Sequence, residues 1–564
     1  MASKIMPPRE IITLSGTHQV GSFGWRHLLT WRQLSTLWRI PVSHHLPDSF
    51  SNFSRAPAAH SVAIAHGECD GNFLRHCWQM QSPAVIFVDR ASLRSSDGAN
   101  GFAVEFQDHY TARSRLRHVL RVEQKHPLVE GLPKTVPIYG ECPTVTPLQI
   151  EEDMQVLVSL DGLPIIASRQ HQLFVGADPW QLGVPSVPMI YKVLSNWLVH
   201  ELGYRYPTLE PYAAIRLDDL PTTAEKLKLL TPRPTLDRRR SRTMRRLRNF
   251  ARRSGTRFSI MYSSHFPGPD GKLVTIASIV PRSIREMQLG VKQGVFEIGS
   301  HGMVHLRNGK SDQSGVDARE FVDLDERETA THLENSDQEI LRLFGARPQS
   351  FVAPDWAYRP GITKKIASER YPAIVDSSQH VESGACDVFL TPGEEGNYLN
   401  MTETFRAGSR MLTYSSPEFW QCYAGAGIPV HYMQHMDTSW HILRSFLKAK
   451  TAPVGKTSRE SLRWALLQLA ENPRRSLYVR ALCAALLSIV NCWLEPASWE
   501  FLWRALTRSS VYAFMRAMKS AGYQCVTLTE LRTKIVDYGN SDRRDLKTFA
   551  PGNNPSTQSN ARAH

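Results

Sequence analysis

The chain has 564 residues, a formal net charge of +14 and 42% hydrophobic residues. That length holds two or three domains and that apolar fraction builds a core, which excludes a disordered or fibrous chain. Eight cysteines, from Cys69 to Cys525, are scattered with no Cys-x-x-Cys, which excludes a zinc knuckle and a small disulfide scaffold.

Taken in chain order, residues 1–60 are rich in Ser, His, Pro and Arg, carry no motif and stand as an unassigned extension. Pro7, Pro8, Arg9, Glu10, His18 and Arg26 interrupt this segment before any long apolar run, so no secretory leader is expected. Residues 61–206 predict a smaller α/β domain. Short apolar runs at 61–65, 84–89, 154–160, 163–168 and 172–176 read as strands, with Gly162 and Gln170-His171 at turns between them. A helix is predicted at 188–202, with Ile190, Val193, Leu194, Trp197 and Leu198 on one face.

Residues 207–535 alternate predicted strands (213–217, 257–262, 295–298, 349–353, 373–376) with helices (241–253, 326–344). That alternation predicts a parallel sheet or barrel with its site at the C-terminal strand ends. Ala481 to Leu494 is the most apolar stretch, shorter than the about 20 residues a membrane helix needs, and it predicts a buried helix. With the dispersed cysteines, this points to a soluble cytoplasmic protein. Residues 536–564 are rich in Asn, Ser, Arg and Asp and are expected to be disordered.

The chemistry-bearing residues lie in the second domain. An apolar run ends in Asp218-Asp219-Leu220-Pro221, and a later one ends in Gly299-Ser300-His301-Gly302-Met303-Val304-His305. Two imidazoles four residues apart can converge on one divalent ion, and one carboxylate can complete a three-ligand site with room for water. A second carboxylate beside it can act as a base on that water. Further on, His431 and His435 lie an even number of steps apart in an apolar run and share one strand face. Ten arginines fall between Arg238 and Arg257, with Met244, Leu247 and Phe250 at helical spacing. This reads as the solvated outer helix between the first two barrel strands, the sharper alternative being a peripheral contact to an anionic membrane or nucleic acid. No nucleic-acid motif accompanies it, and no nucleic acid is expected.

These motifs, in this order, resemble the polysaccharide deacetylase (NodB-homology) superfamily. The resemblance covers roughly residues 210–533. It rests on Asp218-Asp219, on Ser300-His301-x-x-x-His305, and on Phe351-Val352-Ala353-Pro354-Asp355-Trp356, which is similar to the third motif of a Phe-Val-Ala-Pro-x-Trp branch. Pro429 to Asp437 and Gly522 to Leu531 look like the strand ending in a catalytic His and the closing strand with its cap. The resemblance implies a distorted, incomplete (β/α) barrel, preceded here by a glutamine-amidotransferase-like or flavodoxin-like accessory domain. That domain shows no Cys on a nucleophile elbow and is expected to be non-catalytic.

The resemblance further implies Asp218 as general base, and Asp219, His301 and His305 as metal ligands. It implies His435 as general acid, with His431 as its competitor, and Pro354, Trp356, Tyr358 and Arg359 as residues of the substrate groove. The metal expected is Zn²⁺, with Co²⁺, Ni²⁺ and Mn²⁺ open. The activity implied is hydrolysis of the acetamido group of an N-acetylated sugar or glycan. The alternatives are O-deacetylation or another hydrolysis at the same centre, or a non-catalytic glycan-binding or scaffold protein. One departure stands out. Many members carry an Arg before the third-motif Pro that orients the base, and here Val352 and Ala353 stand there. Arg359 is the substitute the sequence offers. The sugar and the oligomeric state stay open.

Overall fold

The computed structural model describes residues 117–139, 145–148, 150–177, 187–203, 209–221, 234–267, 272–305, 320–354, 358–376, 411–435 and 511–546, with short strand segments and a few helical positions elsewhere. The chain is mixed α/β, with two large sheets.

The first sheet has nine strands: β1 (Ile11–Leu14), β2 (Val42–His45), β3 (Val62–His66), β4 (Ala84–Phe87), β5 (Arg117–Val122), β6 (Thr135–Tyr139), β7 (Gln155–Leu160), β8 (Leu163–Arg169) and β9 (Gln172–Val175). Their order is β2-β1-β3-β4-β9-β8-β7-β5-β6. The five at one end pair in parallel, in the strand order of doubly wound flavodoxin-like sheets. The rest is an antiparallel meander. Two of these strands lie within residues 1–60, and Trp31, Leu34 and Trp38 of the same stretch are buried in the main core. The extension therefore contributes to the first sheet. Helix α1 (Met189–Leu202) follows, with Ile190, Val193, Leu194, Trp197 and Leu198 fully buried, and ends on Gly203 in the left-handed conformation.

The second sheet is a curled, mainly parallel half-barrel. Its elements are β10 (Tyr212–Asp218), α2 (Pro234–Ser254), β11 (Phe258–Tyr262), the hairpin β12–β13 (His265–Pro267, Leu273–Thr275), α3 (Ile276–Ile279), α4 (Pro281–Lys292) and β14 (Phe296–Ser300). They continue with α5 (Glu326–Phe344), β15 (Ser350–Val352), α6 (Lys365–Arg370), β16 (Ala373–Asp376), β17 (Thr391–Pro392), β18 (Leu399–Thr402), β19 (Phe405–Arg406), α7 (Met411–Tyr414) and α8 (Pro417–Ala424). They end with β20 (Val430–His435), α9 (Val511–Ser520), β21 (Gln524–Val526) and α10 (Leu528–Leu546). The central order is β16-β15-β14-β11-β10-β20, and β21 also pairs with β10. Helix α10 runs to Leu546, past residue 535, where the ordered chain was expected to end.

Strand alternation sorts the two faces of this sheet. Ala213, Ile215 and Leu217 of β10 and Val430 and Tyr432 of β20 share one register set, and Tyr432 stacks on Phe514 of α9 at 3.9 Å between ring centroids. That face is the helix-covered core. Ala214, Arg216 and Asp218 pair with His431, Met433 and His435 on the other face. On that inner face Glu297 takes hydrogen bonds from Ser350 Oγ (2.9 Å) and from the Thr529 amide at the start of α10 (3.2 Å). The Leu528 amide donates to Ser259 Oγ at 2.8 Å. The N-terminus of α10 thus closes the sheet below the strand ends that carry the site.

The first sheet docks on the second through real contacts rather than a bare linker. The Tyr139 amide donates to Thr413 Oγ1 (2.7 Å), Tyr191 lies 5.2 Å from Tyr423 between ring centroids, and Trp38 Nε1 donates to the Ala426 carbonyl (2.9 Å). Both sheets share one continuous apolar cluster. Among the described residues, no helix is long and apolar enough to cross a membrane.

Phe514 is the keystone of the helix-covered side, stacked on Tyr432 and edge-on to Trp420. Phe514→Ala should cost about 3–5 kcal/mol, because the cavity forms where the sheet and two helices meet. Chemical denaturation of the full chain measures it, and a loss under 1 kcal/mol would contradict this packing.

Candidate functional site

The site is assembled at the C-terminal ends of β10 and β14. Asp218 is the last residue of β10 and is buried. Its partner is on its own strand. Arg216 Nε donates to Asp218 Oδ1 at 2.7 Å and Nη2 donates to Oδ2 at 2.8 Å. Two residues apart on a strand is the spacing that puts both side chains on one face. The pair is bidentate and almost fully buried, with side-chain exposures of 0% and 4%. A guanidinium fork in that setting favours the ionised carboxylate and fixes its plane.

Asp219 leaves the strand in the left-handed region, at φ +63°, a conformation Asp tolerates better than most residues. That turn sends adjacent carboxylates to different neighbours. Asp219 Oδ1 lies 3.6 Å from His301 Nε2 and 3.3 Å from His305 Nε2. One donor atom from each of the three residues lies within 4.8 Å of the others. Charge-assisted hydrogen bonds close to about 2.7–2.9 Å. Three ligands at about 2.0–2.2 Å from a tetrahedral ion stand about 3.4 Å apart. The observed spacing is the second kind, and one carboxylate with two imidazoles is a donor set that suits a divalent ion. The residues present fit the group.

The two imidazoles are held by the protein. His301 Nδ1–H donates to the Val352 carbonyl at 2.9 Å, which turns Nε2 toward Asp219. The third motif therefore reaches the centre through its backbone. The turn after His301 is stitched on every side. Its carbonyl accepts from Ser263 Oγ (3.1 Å), the Gly302 carbonyl from Ser336 Oγ (3.0 Å), and the Met303 carbonyl from the His265 amide (2.7 Å). Gly302 sits at φ +77°, and a Cβ there would meet Glu320 Oε2 at 2.1 Å, so the position requires glycine. His305 itself lies at φ +64°.

Glu320 braces this turn from inside. It is fully buried and accepts from the Met303 amide (2.8 Å), the His305 amide (3.3 Å) and His332 Nδ1 (2.9 Å). Nothing local in the sequence marks it. It lies 15 residues beyond His305 and acts on backbone amides.

The remaining candidates are placed as follows. His435 is the last residue of β20, and its backbone is in register with Asp218; its side chain lies outside the described residues. His431 is buried four residues below, level with Ala214. Pro354 is buried, and Tyr358 packs on the apolar cluster of Phe321, Phe351 and Tyr371. Arg359 is exposed. The guanidinium that holds Asp218 is Arg216, which the sequence reading passed over as part of an apolar run. Trp356 lies outside the described residues.

No family model and no curated protein matches the chain. Solved structures do. The chain is similar to Agd3, described as a carbohydrate deacetylase, at 10% identity and a TM-score of 0.40, over 76% of this chain and 79% of that one. It is similar to a putative polysaccharide deacetylase from Mycobacterium smegmatis at 11% identity and a TM-score of 0.29, over 63% and 98% of the two chains. It is also similar to the Bc1960 peptidoglycan N-acetylglucosamine deacetylase at 12% identity and a TM-score of 0.22, over 43% and 84%.

Two outcomes are expected here. Arg216→Met should destabilise the fold by about 3–5 kcal/mol, because it strands a buried carboxylate. Arg216→Met combined with Asp218→Leu should recover much of that loss, measured as a double-mutant cycle by denaturant unfolding. Glu320→Gln should weaken divalent-ion binding about 10–100-fold, the scale on which outer contacts tune metal sites. Competition titration with a chelating dye reads it, and unaltered affinity would remove Glu320 from the role of brace.

Proposed function

We propose that the chain is a metal-dependent hydrolase of the polysaccharide deacetylase type that removes acetyl groups from N-acetylated sugars. The observation that carries this reading is the pairing of two arrangements at adjacent residues. Asp219 faces two imidazole nitrogens at ion-sharing distance, and Asp218 beside it is held in a bidentate pair by Arg216.

Asp219, His301 and His305 would hold the ion, with Zn²⁺ the first choice for a carboxylate and two imidazoles and Co²⁺, Ni²⁺ or Mn²⁺ also compatible. When bound, it supplies Lewis acidity toward the amide carbonyl and a water molecule. Asp218 accepts a proton from the attacking water. Its plane is set by Arg216, so the accepting lone pair is oriented before substrate arrives. His435 donates a proton to the departing nitrogen. The support for His435 over His431 is register: the backbone of His435 stands beside Asp218 at the strand end, and His431 lies four residues, about 13 Å, deeper, level with Ala214. Pro354, Trp356, Tyr358 and Arg359 follow β15 and are assigned to the substrate side of the centre. Cytoplasmic placement belongs to the same reading, together with the free, buried thiols of Cys422, Cys483 and Cys525.

The test is a screen of N-acetylated sugars and glycans for released acetate, with metal content measured on the same protein. Asp218→Asn should retain metal and lose about 10²–10⁴ in rate. His435→Ala should also retain metal and lose activity on amides while sparing an activated ester, whose leaving group needs no proton. A metal-loaded wild-type protein that turns over no N-acetyl sugar would favour the non-catalytic alternative. A selective amide defect in His431→Ala, with His435→Ala unaffected, would move the acid to His431.

A further inference from the structure

The outer wall of the half-barrel carries a feature that hydrolysis does not use. Helix α2 buries Met244, Leu247 and Ala251 against the sheet. Every arginine of α2 other than Arg240 and Arg248 is exposed. At 3.6 residues per turn these arginines fall within an arc of about 140°, opposite the buried stripe, in a row about 22 Å long from Arg238 to Arg253.

The neighbouring helices extend this row into a face. Helix α4 lies along one side of α2, where Asp237 accepts from the Arg282 and Ser283 amides (3.1 and 3.0 Å) and Arg248 pairs with Glu286 (3.1 Å). Helix α9 lies along the other side, where Phe250 and Tyr512 rings are 4.7 Å apart and Lys519 Nζ donates to the Ser254 carbonyl. These flanks add exposed Arg282, Arg285 and Lys292 on α4, and Arg516 and Lys519 on α9. The acids of the three helices are Asp237 and Glu286, and both are already engaged, one buried as a cap and one paired with Arg248. Among the described residues, none of the exposed large hydrophobic side chains lies on these helices.

We propose that the α2–α4–α9 face is an electrostatic docking surface for an anionic lipid bilayer. Shape decides between polyanions. Helices pack about 8–10 Å apart, so three of them present a broad face about 20 Å across. A helix reads duplex DNA by entering a major groove about 12 Å wide, and α2 cannot enter with both flanks occupied. The face has no exposed aromatic side chain on which single-stranded bases would stack. A linear polymer would engage one row and leave the other two idle. A planar array of phosphate and carboxylate headgroups engages all three rows at once, through guanidinium donors suited to those anions. The contact is electrostatic, because the apolar stripe of α2 is already spent on the core.

The test is co-sedimentation of the full chain with sucrose-loaded vesicles of phosphatidylcholine alone and of phosphatidylcholine with 30% phosphatidylserine, at low and high salt. Binding is expected only to the anionic vesicles, and high salt should release it. Replacing Arg239, Arg242, Arg246 and Arg253 together by Gln should lower the partition coefficient by at least ~100-fold, since each cation near such a surface contributes roughly a five-fold factor. All four are exposed, so the melting temperature should be unchanged, which separates lost docking from lost fold. Equal binding to both vesicle types, or wild-type binding by the fourfold variant, overturns the proposal. Retention on immobilised heparin without vesicle binding also overturns it and assigns the face to a linear polyanion.

Discussion

The buried contact between Arg216 and Asp218 is the constraint around which the second sheet is organised. An unpaired charge in that position would cost several kcal/mol, so neither residue is tolerable alone. Paired, they force the polar face of β10 inward and the Ala213–Ile215–Leu217 face outward onto the helices. A slip of one residue in the pairing of β10 with β20 would bury the wrong set on both strands at once. The ion pair therefore fixes register as well as chemistry, and it places Asp218 and the backbone of His435 side by side.

The opposite wall of the centre solves a different problem. His301 and His305 must converge although four residues of chain separate them, and β14 ends at Ser300. The chain does this with two left-handed residues, Gly302 and His305, in one short turn. Left-handed backbone at a non-glycine residue persists only where surrounding contacts over-determine it. Glu320, Ser263, Ser336 and the His265 amide supply those contacts. The precision of the imidazole pair thus depends on α5, the segment just before it and the link between β11 and β12, not on β14, after which the first histidine follows.

Much of this was legible in the sequence because it is local. Period-2 and period-3.6 apolar patterns located α1, α5, β7, β8, β10, β16 and β20 to within a few residues. The acid pair and the two histidines were visible because their residue types are rare at strand ends. What escaped were the partners that act at a distance or against type. Arg216 sits inside an apolar run, and hydropathy discounts it; the clue was the i, i+2 spacing to Asp218. Glu320 works through backbone amides and has no motif. Strands β5 and β6 carry Arg117, Arg121 and Pro137 and break the alternation that marks a strand. The arginine cluster was read as one helix; its meaning as a face depends on α4 and α9, and α9 lies more than 250 residues further along the chain. Arg248 and Arg257 turned out to be engaged locally, with Glu286 and Glu530.

Placing the proposed base, Asp218, and its anchor Arg216 on one strand has a consequence for how this scaffold can change. In a barrel whose base is oriented from a loop, altering that loop to admit a new substrate also disturbs the proton acceptor. Here the proposed acceptor, Asp218, is wired into β10, and among the described residues the third motif reaches the centre through the carbonyl of Val352. A carbonyl is supplied by any residue. With the proposed base anchored by Arg216, the residues that follow β15 need not hold it, and they can diversify in side chain and length without changing the Arg216–Asp218 pair.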